Sequence, residues 1–252
     1  MGNYVNPPMR KASLLLFIGL LMACQSDKTL EMRIREYSGP ACESCPVVTV
    51  SIPELPGNSK LAASINSALR EEIIELLDYD EERDATDIPG AIKAFQDGFR
   101  KMQEEFPEEL TGWEASVEAF KSYEDSGLIT LRMNTYLFTG GAHGYPSTRF
   151  LNFDKKTGKE LEAPELFKDP EAFEAFAEAA FREQYDIPSG APINSTGFMF
   201  EDNHFRLPQN IGLTTDGLIL HYNPYEAASF ADGDLVLEFP LEAIRPFLAS
   251  AE

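Results

Sequence analysis

The sequence predicts an α+β fold in which helices pack on a largely antiparallel sheet, arranged as two sequential subdomains. Apolar residues recur at helical spacing in three segments and alternate with polar residues in several others. The helical and extended segments are grouped along the chain without strict alternation, which is typical of α+β proteins. A hydrophobic fraction of 43% in 252 residues is enough for an ordinary globular core.

The chain begins with a segment that has the order of an export signal. A basic pair precedes an apolar run over residues 12–22, and this run is too short to span a bilayer. It ends in LMAC, which resembles a bacterial lipobox, in which the cysteine is acylated and becomes the first residue. We therefore expect a signal peptide over residues 1–23 and lipidation of Cys24, with either Met1 or Met9 as the start.

The mature chain would be strongly acidic. The sequence has 21 basic and 42 acidic residues and therefore a net charge of −21. Removal of the signal peptide takes away two basic residues, so the net charge of the mature chain is −23. A field of this sign repels nucleic acid and favours neutral or cationic partners, although acidity can also serve solubility alone. The polar stretch 24–41 is expected to be a tether.

The residues after Cys24 predict the membrane to which the protein is anchored. Positions 25 and 26 are Gln and Ser, and neither is the aspartate that retains some lipoproteins at the inner membrane, so we expect anchoring at the outer membrane of a Gram-negative cell.

The first subdomain is expected over residues 42–146. Steps of three and four between apolar residues indicate two helices, the second with Pro89 near its start, where a missing N–H does no harm. Alternation of apolar and polar residues indicates the strands. The segments are a strand at 47–50, helices at 61–77 and 92–106, and strands at 113–119 and 129–137.

The second subdomain is expected over residues 147–252. Asp169 followed by Pro170 is typical of a helix start, and an apolar stripe with the spacing of a buried helix face follows. Two Asp-Gly pairs indicate turns before the last two strands. The predicted strands are at 150–153, 205–207, 218–222 and 235–239.

The cysteines Cys42 and Cys45 form a C-x-x-C pair that has three interpretations. A small structural disulfide is expected in an oxidising envelope, and redox chemistry or shared metal binding are the alternatives. A redox C-x-x-C is followed by a helix, whereas the PVVTV that follows here is typical of a strand. Two thiolates alone do not complete a tetrahedral zinc site.

The stretch TYLFTGGAHGYPSTRF looks most like a functional loop. Its glycines lie between two predicted strands, with no helix after them and no lysine among them, so it lacks the parts of a phosphate-binding loop. His143, His204 and His221 have no metal-ligand spacing, and no serine lies in a G-x-S-x-G motif. The sequence predicts no catalytic residue, no cofactor and no metal site, and it leaves open whether the protein is an enzyme.

Two stretches resemble a known pair of domains. YLFTGGAHGYPSTRFLNFDKKTGKELEAPELF looks like the join between the domains of unknown function numbered 4163 and 3298, and GLILHYNPYEAASFADGDLVLEFPLEAI resembles the end of the second. The resemblance covers about residues 42–250. It implies an envelope-facing binding module, because relatives include the outer part of a lysozyme-sensing anti-sigma regulator and the non-catalytic region of a peptidoglycan deacetylase. The regulator's sigma-binding segment and the deacetylase's catalytic motif have no counterpart here.

Charge and resemblance together predict a lipid-anchored, non-enzymatic module for a cationic, lysozyme-like protein or for peptidoglycan. The candidate binding residues are His143, Tyr145, Tyr225 and Glu226, because aromatic rings stack on sugars or anchor protein contacts. The alternative for Tyr225 and Glu226 is that they lock the C-terminal strands together. The alternative functions are a cell-wall glycan hydrolase and a structural component of an envelope assembly.

Overall fold

A computed structural model of the chain describes residues 1–2, 29–40, 45–79, 85–108 and 111–249. Residues 3–23 of the predicted signal peptide, the lipidation site and one cysteine of the C-x-x-C pair lie outside these residues. Among the described residues, no helix is both long and apolar enough to cross a membrane.

The described residues form two sheets and four α-helices, which confirms the α+β class. Strands β1 to β9 are Arg33–Ser38, Val47–Glu54, Glu114–Glu124, Leu128–Phe138, Tyr145–Asp154, Glu160–Leu161, Asn210–Leu213, Gly217–Tyr222 and Leu235–Pro240. Helices α1 to α4 are Lys60–Leu77, Ile88–Glu105, Pro170–Gln184 and Leu241–Ile244.

The larger sheet contains β1 to β6 in chain order. Every pairing is antiparallel except that of β2 with β3, which is parallel because the chain crosses over between them through α1 and α2. The boundary expected between residues 146 and 147 falls inside β5, so the sheet continues from the first expected subdomain into the second.

The first two helices begin where side chains satisfy free backbone N–H groups. Ser59 accepts from the N–H of Ala62, and Asp87 accepts from the N–H of Gly90. The cap at Asp87 explains why α2 begins before the predicted residue 92. Both helices bury their apolar stripes against one face of the larger sheet and form the first core with it.

The smaller sheet, β7 to β9, packs on the opposite face of the larger sheet. Alternation along β4 divides its side chains, since Leu131 and Met133 enter the first core while Thr130 and Arg132 face the smaller sheet. Asn152 joins the two sheets, because its Nδ2 donates to the carbonyl of Ile211 at 2.8 Å. Helix α3 and the smaller sheet enclose a second, aromatic-rich core.

Two predicted segments differ from the structure. The expected tether over residues 24–41 contains β1, which pairs with β2. Most side chains of β1 are exposed, so the composition of the strand is polar, but Tyr37 packs on the first core. The strand predicted at 205–207 is wrong. Phe205 is buried in the second core from a non-strand segment, and the strand follows at β7.

Candidate binding site

The two motifs singled out in the sequence meet at one end of the molecule. One is the turn between β4 and β5, and the other is the segment after β8 that begins at Asn223. The Asn223 side chain accepts from the N–H of Thr148 at 2.8 Å and donates to its carbonyl at 3.0 Å. The amide therefore pairs with β5 as a neighbouring strand would, and it fixes one motif against the other.

Four aromatic rings at this junction form a surface that we call the aromatic platform: His143, Tyr145, Tyr225 and Phe230. The His143 ring stacks on Phe230 with centroids 3.6 Å apart and planes at 16°, and Tyr225 lies 5.6 Å from Phe230. Tyr145 donates to the carbonyl of Pro224 at 3.0 Å. Tyr225 is 58% exposed and Tyr145 38%, so the platform offers ring surface to a ligand.

Tyr225 has a backbone conformation that favours glycine. Its φ of 72° lies in the left-handed region, which costs energy for a residue with a bulky side chain. The next residue, Glu226, stabilises the turn: its carboxylate accepts from the N–H of Asn223 at 3.0 Å and from the N–H of Gln209 at 2.9 Å. The segment thus holds an exposed aromatic ring in a fixed position.

Glu226 differs in role from the other predicted binding residues. Glu226 is an exposed residue, but neighbouring protein partly desolvates its carboxyl group, and this raises the pKa despite the two N–H donors. Both oxygens already accept backbone hydrogen bonds. The contacts of Glu226 therefore support the locking alternative, whereas Tyr225 remains open to solvent.

Two adjoining cavities form a cleft beside the platform, which we call the acidic cleft. Their volumes are about 470 and 710 Å³, and both are lined by Arg149, Gln209 and Asn210. Tyr145 lines the smaller cavity, so the platform borders the cleft. Seven carboxylates line the two cavities against two guanidinium groups. The acids are Glu72, Glu75, Asp78, Glu160, Glu162, Glu171 and Glu174, and the bases are Arg149 and Arg206.

The two arginines neutralise only part of this charge. Arg149 Nε lies 2.7 Å from Glu72 Oε1, and Arg206 Nη1 lies 3.8 Å from Glu174 Oε1. Partial desolvation raises the pKa of Glu72, which is half-buried, and of Glu160, which is exposed at the cleft wall, and Arg149 offsets this only partly. The cleft therefore holds carboxylates that lack full solvation and full pairing, which is an environment that favours an incoming cation.

His221, which the sequence does not mark as a metal ligand, lines neither cavity of the cleft. His221 is buried on β8 with Nε2 3.4 Å from Asp234 Oδ2, and burial lowers the pKa of its imidazole. Across the part of the chain that the structure describes, no three His, Cys, Asp or Glu residues are arranged to hold a metal ion. Cys45 is disulfide-bonded; its predicted partner Cys42, like Cys24, lies outside the described residues.

Sequence reasoning did not identify Phe230 or the cleft. Phe230 follows small residues in AASFAD, where no periodicity marks it. Glu72 and Glu160 look like solvated charges in the sequence, and only the fold places both of them near Arg149.

Comparison with known proteins confirms the two-domain resemblance. Residues 164–242 match the family model described as Protein of unknown function (DUF3298), and residues 42–145 match the model described as Deacetylase PdaC. A DUF3298 family protein from Pseudomonas aeruginosa PAO1 is 21% identical with a TM-score of 0.60, over 89% of this chain and 97% of that one. A DUF3298 family member from Bacteroides fragilis NCTC 9343 is 20% identical with a TM-score of 0.65, and the match covers 88% of this chain and 94% of that one. At these identities the solved structures establish the fold alone. No curated protein matches the chain.

Proposed function

We propose that this chain, in which a PdaC-type domain precedes a DUF3298 domain, is a lipid-anchored, non-enzymatic module of the cell envelope that binds a cationic, lysozyme-like protein. The observation that carries the proposal is the acidic cleft with the aromatic platform at its border. Concave negative charge beside fixed, exposed rings suits a basic protein surface better than it suits an anionic or purely apolar ligand.

Charge favours this partner over a distance as well as in contact. The sequence carries a net charge of −21, so a basic protein is attracted from beyond contact range and associates faster at low salt. Within the cleft, Glu75 and Asp78 have no basic side chain within ion-pair distance among the described residues. Lysine or arginine side chains of a partner would complete these pairs.

The platform supplies the apolar part of the contact. Exposed tyrosines held by the surrounding backbone lose little conformational freedom on binding, and such residues dominate binding energy in many interfaces. Tyr225 has this character because its backbone is fixed by Glu226 and its ring lies beside Phe230. The same rings would stack on the sugars of peptidoglycan, which is the second candidate ligand.

One observation favours a glycan hydrolase, the alternative function. Glu72 and Glu160 share a cleft and both have raised pKa values. Glycosidases, however, need one carboxyl group kept protonated and another kept ionised, so that the two pKa values move apart. Here both move in the same direction, and the guanidinium of Arg149 forms an ion pair with Glu72. We therefore propose binding, and not hydrolysis, as the main function.

The anchor belongs to the same proposal and rests on the sequence. Lipidation of Cys24 would tether the protein to the outer membrane of a Gram-negative cell. Cells expressing the wild type are expected to incorporate labelled palmitate into the protein, whereas Cys24→Ala is expected to incorporate none. Equal labelling of both proteins would contradict lipidation at this residue.

The binding proposal is tested by titrating the fragment that begins at Gln25 against a lysozyme and, separately, against soluble muropeptides. We expect lysozyme to bind in 50 mM salt and to bind more weakly in 500 mM salt, because salt screens the attraction. Salt-insensitive binding of muropeptides alone would favour the peptidoglycan alternative. Release of reducing sugar from peptidoglycan would instead support the hydrolase.

A further inference from the structure

We infer that the aromatic platform lies at the end of the molecule opposite to the membrane anchor, so that the protein meets its partner on the side facing away from its own bilayer. This inference rests on the lipid anchor of the proposed function and is independent of what the platform binds.

The chain enters the folded body at one defined point. The N–H of Leu30 donates to Glu124 Oε1 at 3.1 Å, and the Glu124 side chain is only 8% exposed. Lys121 and Lys155 also bond to this carboxylate, the latter at 2.8 Å. Burial opposes ionisation of Glu124, but the two ammonium groups and the Leu30 N–H outweigh it and lower its pKa, so the carboxylate remains charged and holds the entering segment.

That entry point lies at one end of the larger sheet. Glu124 is the last residue of β3 and pairs with Ile129 near the start of β4, so it marks the β3–β4 hairpin turn. Lys155 lies in the turn after β5, and its N–H bonds to the carbonyl of Gly127 in that same hairpin. Both turns therefore lie at the end where the chain enters.

The platform lies at the other end of the same strands. The turn that carries His143 joins the end of β4 to the start of β5. Each of β3 and β4 has 11 residues, and at about 3.3 Å per residue a strand of this length spans roughly 35 Å. The turn is therefore separated from Glu124 by about the full length of the sheet.

The smaller sheet also has one end near the entry point and the other end near the platform. The carbonyl of Leu213, before the turn into β8, accepts from Ser122 Oγ at 2.7 Å near the entry point. Asn223, after β8, bonds to Thr148 at the other end. Both segments that build the platform are therefore remote from the anchor.

The connection to the lipid is short. Five residues, 25–29, separate Cys24 from Leu30, and a chain of this length reaches at most about 20 Å when fully extended. This reach is less than the length of the sheet. The anchored molecule can tilt, but its entry end stays close to the bilayer, and its negative charge disfavours lying flat on anionic lipid.

The arrangement is tested with the full-length lipidated protein reconstituted in vesicles whose head groups carry an acceptor dye. A donor dye is attached to Ala142→Cys, in the platform turn, or to Lys156→Cys, in the turn beside the entry point; the disulfide-bonded Cys45 is not available for labelling. We expect energy transfer from position 156 to exceed transfer from position 142 at least twofold. Equal or reversed transfer would overturn the inference.

Two controls separate this outcome from failure of the proposed function. The measurement needs no ligand, so absence of lysozyme binding leaves it unaffected. Mass spectrometry first establishes whether Cys24 carries lipid; if it does not, a hexahistidine tag placed at residue 24 attaches the chain to nickel-chelating lipid, and the same ratio then tests the geometry.

Discussion

Tyr225 is a bulky residue in a conformation that glycine would adopt more easily. Its φ of 72° is maintained by the bonds that Glu226 makes to Asn223 and Gln209, while the ring itself is 58% exposed. An exposed ring contributes little to the stability of its own fold. A strained position that keeps such a residue is consistent with selection for contact with a ligand.

The substitution Tyr225→Gly separates these two contributions. It relieves the left-handed backbone conformation and removes the ring, so we expect the free energy of unfolding to change by less than about 1 kcal/mol. The affinity for lysozyme should fall roughly tenfold or more, as it does when a central aromatic contact is removed. Urea unfolding and calorimetric titration measure the two effects. Unchanged affinity would remove Tyr225 from the binding surface.

His221 predicts a dependence of stability on pH. Burial lowers the pKa of the folded imidazole below 6.5; nearby Asp234 opposes this shift and Arg132 adds to it. Below pH 6.5 the unfolded chain therefore binds the proton more readily than the folded chain, and this contribution to stability is lost as pH falls.

The comparison with His221→Gln isolates that contribution from those of the carboxyl groups, because a raised pKa, as at Glu72, and a lowered pKa, as at Glu124, are the same in both proteins. The wild type should exceed the variant in stability at pH 7.5, and the difference should shrink at pH 5.5, as measured by urea unfolding. A difference that stays constant between these pH values would show that His221 does not titrate as its burial predicts.

The contact between the two sheets depends on close approach at Gly212 in β7. A β-carbon built there would lie 2.1 Å from Phe150 Cδ1, which is too close for any side chain. We expect Gly212→Ala to lower the free energy of unfolding by about 2–3 kcal/mol, because β7 must move away from β5. Gly112→Ala is a matched control, since nothing lies within 4 Å of its built β-carbon.

A second-site change tests the physical cause of that loss. In the Phe150→Ala background, the two atoms nearest the built β-carbon, Cδ1 and Cγ of the ring, are removed, so Gly212→Ala should cost less than it does in the wild type. An equal cost in both backgrounds would mean that the ring of Phe150 is not what excludes a side chain at Gly212.

The long elements could be predicted from the sequence, and the short ones could not. Helices α1 and α2 bury one face over 18 residues each, so their apolar spacing is repeated several times and is easily detected. Strand β7 has four residues, all buried, and shows no alternation. Strand β1 lies at the sheet edge with mostly exposed side chains, so its composition resembles that of a linker.

The candidate site, too, could be predicted from the sequence only in part. His143 and Tyr145 are predicted from a glycine-rich turn, and Tyr225 from the PYE segment that carries the family resemblance. Their proximity depends on pairing between Asn223 and Thr148, which are 75 positions apart. The acidic cleft depends likewise on α1, β5 and the segment before β7 meeting in space, and no local pattern records such a meeting.

The entry point of the chain and the aromatic platform lie at opposite ends of the molecule. The chain enters at Glu124, and both motifs of the platform lie at the opposite end of the sheets. The smaller cavity of the acidic cleft borders the platform, and the larger cavity continues from Arg149 along β5 to Asn152. An anchored protein arranged in this way would present negative charge and aromatic rings outward, where a soluble basic protein would reach them.

The central claim, that the acidic cleft binds a cationic protein, is tested most directly by removing charge from the cleft alone. The double variant Glu75→Gln/Glu174→Gln neutralises two cleft carboxylates, and Glu118→Gln/Glu201→Gln changes the net charge equally at exposed residues outside the cleft. Affinity for lysozyme is measured at 50 mM salt. We predict that the cleft variant binds about tenfold more weakly than the wild type while the control changes less than twofold. Equal weakening of both variants would contradict the claim, because net charge and not the cleft would then account for binding.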